Sequence, residues 1–382
     1  MSPSPPNAAA CYGDDDPAAT EHRRAVVRRA SRALTPTVAA ALAAQNARLP
    51  ASATRRRSLD ALRTGAAAVV TGQQVGLFLG PLFNVFKAAS AVRTAAFLQE
   101  ETGAPVVPVF WLQTEDHDLP EIAVHRTLDA RTMPLALGIP CDPQDRRSVG
   151  DRQLPDEVAA RLDDLQVALA ELPHASDHLA RLRRHYVAGA RWSDAFAGVL
   201  AELFADTGLV FIDPRDATIA AELVGAHERA LREAPALAAA LADRSEALRR
   251  AGRPTPVHVR PGAPLAFHHP QGSDGPRYRL EPDGRAYAEV AGGRRHRHDD
   301  LLRRLHDEPA CFSSSALLRP IMQDTLLPTA AYVGGTTEVD YFAQLAPLYE
   351  HFDLEMPLIL ARASFRCLDP RWSRMLQRWR LA

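Results

Sequence analysis

Four titratable side chains stand in a row at Glu115-Asp116-His117-Asp118, directly after an apolar stretch that ends at Leu112. A carboxylate beside an imidazole holds its tautomer and raises its basicity, which suits general-base work near neutral pH. If the segment stays extended, Asp116 and Asp118 face one side and Glu115 and His117 the other. An acidic solvated loop and a divalent-metal site are the other readings of such a run. No other strand end offers a matching ligand set, so no metal is expected.

A second constellation is Thr71-Gly72-Gln73-Gln74-Val75-Gly76-Leu77-Phe78-Leu79-Gly80-Pro81. Its glycines let backbone approach a ligand closely and present amide groups to it. The spacing is neither GxGxxG nor a Walker A loop, so by spacing alone a turn and a binding loop weigh equally. The adjacent amides of Gln73 and Gln74 favour polar recognition, with Gly72 and Gly80 as the close-approach positions. Lys87 follows on the first turns of a helix and is the only lysine among 45 basic residues. A lone lysine in an arginine-rich chain points to a place where a compact ammonium is needed and a planar guanidinium will not serve.

The third constellation spans 313–341 and holds Arg319, Gln323, Asp324, Tyr332, Gly334, Gly335, Glu338 and Tyr341. Arg319 has the fork geometry for a carboxylate or phosphate. Glu338 and Tyr341 share one helix face. Together these residues make a second polar edge able to close over the first. Arg362 is an ordinary candidate, and His268-His269 reads as a loop pair with no metal role.

Positioning these groups falls to strands and helices that alternate. The segments 66–71, 105–112, 209–213, 330–335 and 357–361 are short apolar runs of buried-strand character. A helix is expected from Phe83 to Gln99, stopped by Gly103, and makes the first strand-helix-strand unit. Helices are also expected over 18–47 with a break at Pro36, over 151–206, over 215–251 and over 338–351. Between 254 and 298 the texture is β-like, with pieces at 257–260 and 277–280. The fold class is therefore α/β, a doubly wound core interrupted by helical and small β insertions. The expected divisions are a disordered tail at 1–17, N-terminal helices and the first half of the core at 18–135, insertions at 136–304, the second half at 305–368, and the start of a helix at 369–382. Ligands of such sheets bind at the carboxyl ends of strands, where the winding reverses.

Composition narrows the function classes. Net charge is −1, and the basic clusters Arg55-Arg56-Arg57 and 293–298 are short, so nucleic acid is not an expected partner. No apolar run is long enough for a membrane helix. Cys11, Cys141, Cys311 and Cys367 are scattered without pair spacing, as free thiols in a reducing cytoplasm are.

The segments Thr71-Gly72-Gln73-Gln74 through Lys87, Pro108-Val109-Phe110-Trp111 through Asp118, Leu317-Leu318-Arg319-Pro320, Gln323-Asp324-Thr325-Leu326-Leu327-Pro328 and Tyr332-Val333-Gly334-Gly335 resemble, in order, the signatures of the bacillithiol biosynthesis cysteine-adding family. The resemblance runs from about 60 to the end and implies a Rossmann-like core with connecting-peptide insertions. It implies a cytoplasmic ligase that joins the cysteine carboxyl to the amine of glucosaminyl-malate, with ATP as the expected activator of the carboxylate. It implies catalytic roles for Lys87 and for Glu115, Asp116, His117 and Asp118, which would bind or deprotonate the substrate ammonium. The family's dimer is built on a coiled coil that a chain ending at Ala382 is expected to lack. Thr336-Thr337 also stands where the family usually has Pro and a small residue, and no HxGH signature is present. The alternatives are a ligand- or partner-binding fragment without catalysis, or a ligase for another amino acid.

Overall fold

Ala67–Gln73 and Val106–Leu112 are buried along almost their whole length, so both of their faces must be covered. In the computed structural model they are adjacent parallel strands, joined by the helix Phe83–Thr102. The structure describes residues 17–365 and 370–380; most of the expected tail, Cys11 and Cys367 lie outside them. In chain order the strands are β1 (Ala67–Gln73), β2 (Val106–Leu112), β3 (Val124–Leu128), β4 (Pro134–Gly138), β5 (Val210–Ile212), β6 (Ala266–His268), β7 (Tyr278–Asp283), β8 (Ala286–Glu289), β9 (Arg295–Arg297), β10 (Phe312–Ser314), β11 (Thr329–Gly334) and β12 (Leu358–Ala361).

The central sheet has the order β12-β11-β1-β2-β5, with every pairing parallel. From β1 the chain winds outward through β2 to β5, then returns to the other side of β1 for β11 and β12. The winding reverses between β1 and β11, and a crevice opens at their carboxyl ends. Alternate residues of β1 serve different layers. Ala68 and Val70 join a core with Trp111, Ile212, Leu318 and Phe342, while Ala67 and Val69 join one with Ala91, Leu98 and Val333. Each wholly buried large apolar side chain contributes about 1.5–3 kcal/mol of transfer free energy.

Two insertions flank this sheet. The first carries the hairpin β3–β4 and the helices Glu157–Leu169, Ala175–His185 and Trp192–Leu203, and it shares a core with Phe110, Phe211 and the 75–79 loop. The second carries a small sheet of order β10-β6-β7-β8-β9, covered on one face by the helix His298–Asp307.

The structure corrects several local expectations. Residues 257–260 form no strand; the buried Gln344 side chain takes the place of a neighbour, its Oε1 accepting from Val257 N–H at 3.2 Å and its Nε2 donating to Val257 O at 3.0 Å. The single helix expected over 338–351 is two, Thr336–Phe342 and Ala346–His351, because Pro347 supplies no N–H to continue the first. Arg55 is not solvated: it lies in the helix Ala53–Thr64, buried, with its guanidinium 6.0 Å from the Phe211 ring centroid. His268 sits in β6, paired with Tyr278 and Phe312, and not in a loop.

Replacing Gln344 by Ala removes two hydrogen bonds to the half-buried Val257 backbone, each contributing about 0.5–1.5 kcal/mol. Urea unfolding should show a total loss of about 1–3 kcal/mol for the variant, and an unchanged midpoint would remove Gln344 from this role.

Candidate active site

At two positions of the glycine-rich loop there is no room for a side chain. A Cβ on Gly72 would lie 2.9 Å from Trp111 O, and one on Gly76 would lie 2.9 Å from the Gly80 Cα. Phe78, Leu79 and Gly80 all have positive φ (51°, 69° and 59°). For the two non-glycine residues that conformation costs about 1–3 kcal/mol each, so surrounding contacts must hold it. They come from the first insertion and the following helix. Trp192 Nε1 donates to Val75 O at 2.5 Å, the Tyr186 hydroxyl donates to Gly76 O at 3.2 Å and accepts from Leu79 N–H at 3.1 Å, and Asn84 Nδ2 donates to Leu79 O at 2.7 Å.

Lys87, 1% exposed, points back from its helix to the end of β1. Its Nζ donates to Gly72 O at 2.8 Å, to Gln73 Oε1 at 2.6 Å and to Glu338 Oε2. Three protons therefore have three protein acceptors, and the ammonium ties β1 to the end of β11 instead of standing free for a phosphate. Glu338 also accepts from the Gly335 N–H at 2.8 Å and from the Tyr332 hydroxyl at 2.6 Å. Burial pushes the Glu338 carboxyl up, but Lys87, Tyr332 and the Gly335 amide outweigh it and hold the group below the usual carboxylate range. Burial, with Arg319 and Arg362 nearby, lowers the Lys87 ammonium against the pull of Glu338.

Arg319, Gln323, Tyr332 and Tyr341 are buried behind this pair. Arg319 donates to Gln323 Oε1 at 2.9 Å, to the Tyr341 hydroxyl at 2.8 Å and to the Tyr332 hydroxyl at 3.2 Å. Its guanidinium is thus engaged by neighbours and is not presented as a fork to an incoming carboxylate. Asp324 lines a different cavity, of about 370 Å³, with Arg32 and Met356. Burial raises its carboxyl to about 6 although Tyr349 and Gln323 donate to it.

The acidic run is not extended, and its side chains diverge differently from the alternating pattern. Glu115 plunges inward, 5% exposed, and its two oxygens accept from the Ser314 amide and hydroxyl of β10. Asp116 and His117 both turn toward Arg277, which comes from just before β7. Asp116 Oδ2 accepts from Gln74 Nε2 at 2.8 Å, and its other oxygen lies 3.7 Å from Arg277 Nη1. Burial works against the Asp116 charge, but Arg277 and Gln74 hold it below the usual range. Arg277 lies 3.3 Å from His117 Nδ1, which must accept if the guanidinium donates. Burial, then Arg277 and Arg146, push His117 down to about 4, so Asp116 does not make it a base near neutral pH. Asp118 is exposed at the rim.

A cavity of about 320 Å³ lies beside these groups, lined by Gln73, Gln74, Gly80, Asn84, Glu121 and Arg126 among others. Gln73 and Gln74 connect it to both clusters, one reaching Lys87 and the other Asp116 and Glu121. The structure therefore gathers the first two constellations with Gly334, Gly335 and Glu338 at the reversal point, and sets Arg319, Gln323, Tyr332 and Tyr341 behind them as support. Sequence reasoning missed Arg277, Asn84 and Glu121. Only Glu121, a charge close after the acidic run, carried any local signal.

The chain matches the family model described as "Bacillithiol biosynthesis BshC, N-terminal Rossmann-like domain" over residues 3–363. Proteins named "Putative cysteine ligase BshC" are similar to it. The one from Koribacter versatilis is 38% identical over 345 residues, covering 90% of this chain and 63% of the relative. The one from Salinibacter ruber is 36% identical over 342 residues, covering 88% and 61%. The chain thus spans about three fifths of the length of the curated relatives it matches.

Removing Lys87 strands the Glu338 charge, so Lys87→Met should lose about 3–5 kcal/mol in urea unfolding. Lys87→Met with Glu338→Gln should recover part of that loss; a double variant no better than the single would separate the two residues. Asp324 gives a pH signature. Its folded value, about 6, lies above its unfolded value, so its contribution is present below the unfolded value and is lost as pH rises through 6. Asp324→Asn should therefore gain on the wild type by roughly 2–3 kcal/mol between about pH 4 and pH 7. A constant difference between the two proteins across that range would refute the assignment.

Proposed function

The chain belongs to the BshC family of bacillithiol biosynthesis, and from that premise we propose that it joins the carboxyl of cysteine to the amine of glucosaminyl-malate as an amide. The reading rests on one observation. The glycine loop after β1, the acidic loop after β2 and the Lys87–Glu338 pair meet at the sheet's reversal point beside a cavity that Gln73, Gln74 and Asn84 help to line. That is where an α/β sheet of this winding takes its small ligands.

A free carboxylate has no leaving group, and ATP supplies one when bound. The cations that suit anionic reactants at this edge are Arg126, exposed at the cavity wall, and Arg362, whose Nε has no hydrogen-bond partner. Lys87 is engaged by Glu338, so its part is to position the strand ends and the Gln73 amide. Asp116 is the group suited to the substrate ammonium. It is ionised, half-buried and oriented by Gln74, and it can hold the amine against the activated carboxyl while the proton leaves. His117, neutral at physiological pH, would take part as a hydrogen-bonding neighbour and not as the base. Glu115 anchors the loop to β10. The cavity's size suits one small substrate arm, with hydrogen-bonding amides from Gln73, Gln74 and Asn84. A cytoplasmic setting, where ATP and reduced cysteine coexist, belongs to the same proposal.

The test is a mass-spectrometric assay with cysteine, glucosaminyl-malate and ATP, run beside a longer relative. Bacillithiol should form with the wild type. Asp116→Asn should lower kcat/KM for the amine by roughly 10²-fold or more. No product from this chain while the relative is active would overturn the ligase reading in favour of a binding fragment. Activity with serine or another amino acid in place of cysteine would overturn the substrate.

A further inference from the structure

We propose a zinc-class divalent cation site on the back face of the small sheet, built from His268 of β6, Glu289 of β8 and His296 of β9. Each residue offers one donor atom, and the three donors lie within 4.8 Å of one another. Strand register puts them on one face. His268 pairs with Tyr278, Glu289 with Leu280 and His296 with Tyr287, and Tyr278, Leu280 and the partner rungs all project to the same side.

The cluster is unbalanced as protein alone. The Glu289 side chain is wholly buried, and its ion-pair partners among the described residues are the two histidines. Glu289 Oε1 lies 2.6 Å from His296 Nε2 and 3.4 Å from His268 Nδ1, while its Oε2 has no partner at all. His268 Nε2 is likewise unmatched. A sequestered carboxylate with one bare oxygen and no cation is costly, and a bound dication removes that cost.

Two nitrogens and one carboxylate oxygen are a donor set for Zn²⁺, which has no geometric preference of its own and takes such ligands at about 2.0–2.2 Å. Tetrahedral donors at that radius stand about 3.3 Å apart. The His268–Glu289 separation already matches, and the His296–Glu289 pair must open by under about 1 Å. The turn after β8 closes over the carboxylate at Gly292, where a Cβ would stand 2.4 Å from Glu289 Oε2. His296 is the most accessible of the three and marks the route of entry. The opposite face of this sheet carries Phe267 and Arg277, which meet His117 and Asp116. A cation here would cross-link three strands behind the wall of the proposed active site, and it takes no part in the chemistry there.

The test titrates the chelator-treated chain with Zn²⁺ alone against a chromophoric competitor, beside His296→Asn and Glu289→Gln. The wild type should bind about one equivalent and gain thermal stability, and each variant should bind at least roughly 10–100-fold more weakly with no such gain. Uptake by the wild type no greater than by the variants would overturn the site. Co²⁺ added to the wild type gives a readout independent of variant folding. A four-coordinate spectrum supports the site, and the spectrum of hydrated Co²⁺ refutes it. Neither readout involves ligase activity, so the site and the proposed function fail separately.

Discussion

The buried pairing of Lys87 with Glu338 is the constraint on which the site depends. β1 and β11 are neighbours in the sheet but 262 residues apart in the chain at Thr71 and Val333, and beyond the last rung nothing in the ladder dictates how their following loops sit. An ion pair in a low-dielectric setting does, provided that every remaining polar atom is satisfied. Here they are. The ammonium has three acceptors, and the carboxylate gathers the Gly335 amide, the Tyr332 hydroxyl and Lys87. Guanidinium could not replace the ammonium without displacing Gly72 or Gln73, because its donors lie in a plane while these acceptors surround a point. A chain that uses arginine everywhere else thus keeps a lysine where the geometry demands one.

From that anchor the insertions act as clamps on the two loops. The first insertion reaches the glycine loop through Trp192 and Tyr186, whose polar atoms bond backbone groups of a segment that would otherwise leave its left-handed conformation. The second reaches the acidic loop through Ser314 and Arg277. Neither insertion adds a strand to the central sheet between β1 and β11, so the crevice stays open while its rims are fixed. Preorganisation of this kind is what lets a few polar groups orient a substrate without paying for their own ordering at the moment of binding.

Much of this was legible in the sequence for a physical reason. Parallel strands buried on both faces are continuous apolar runs, so β1, β2, β5, β11 and β12 announce themselves locally, as does the helix stopped by Gly103. The lone lysine and the strand-end glycines also carried their meaning in one dimension. What stayed hidden was pairing at a distance. Arg277 meets His117 across 160 residues, and nothing within its own segment separates it from the other arginines there. The same holds for Val257, whose strand-like neighbours promised a ladder that Gln344 replaces with a side-chain amide. The acidic run belongs with these: an extended segment would set Glu115 beside His117, whereas burial makes Glu115 a fastener to Ser314 and leaves Asp116, an ionised anchor, and His117, a weak base, sharing Arg277.

That last division bears on how the chemistry must be organised. Arg277 is wholly buried, its guanidinium 3.7 Å from the Phe267 ring centroid and bonded to the Ser313 hydroxyl and Ser314 carbonyl, so its charge cannot swing away when a ligand arrives. A fixed positive charge beside His117 disfavours imidazolium at every stage, and it favours carboxylate at Asp116 by the same field. Under the proposed ligase reaction, an amine held as a cation at Asp116 must lose a proton before its nitrogen can attack the activated carboxyl. Arg277 keeps that proton off the imidazole, so its way out is through the Asp116 carboxylate or to solvent at the rim by Asp118.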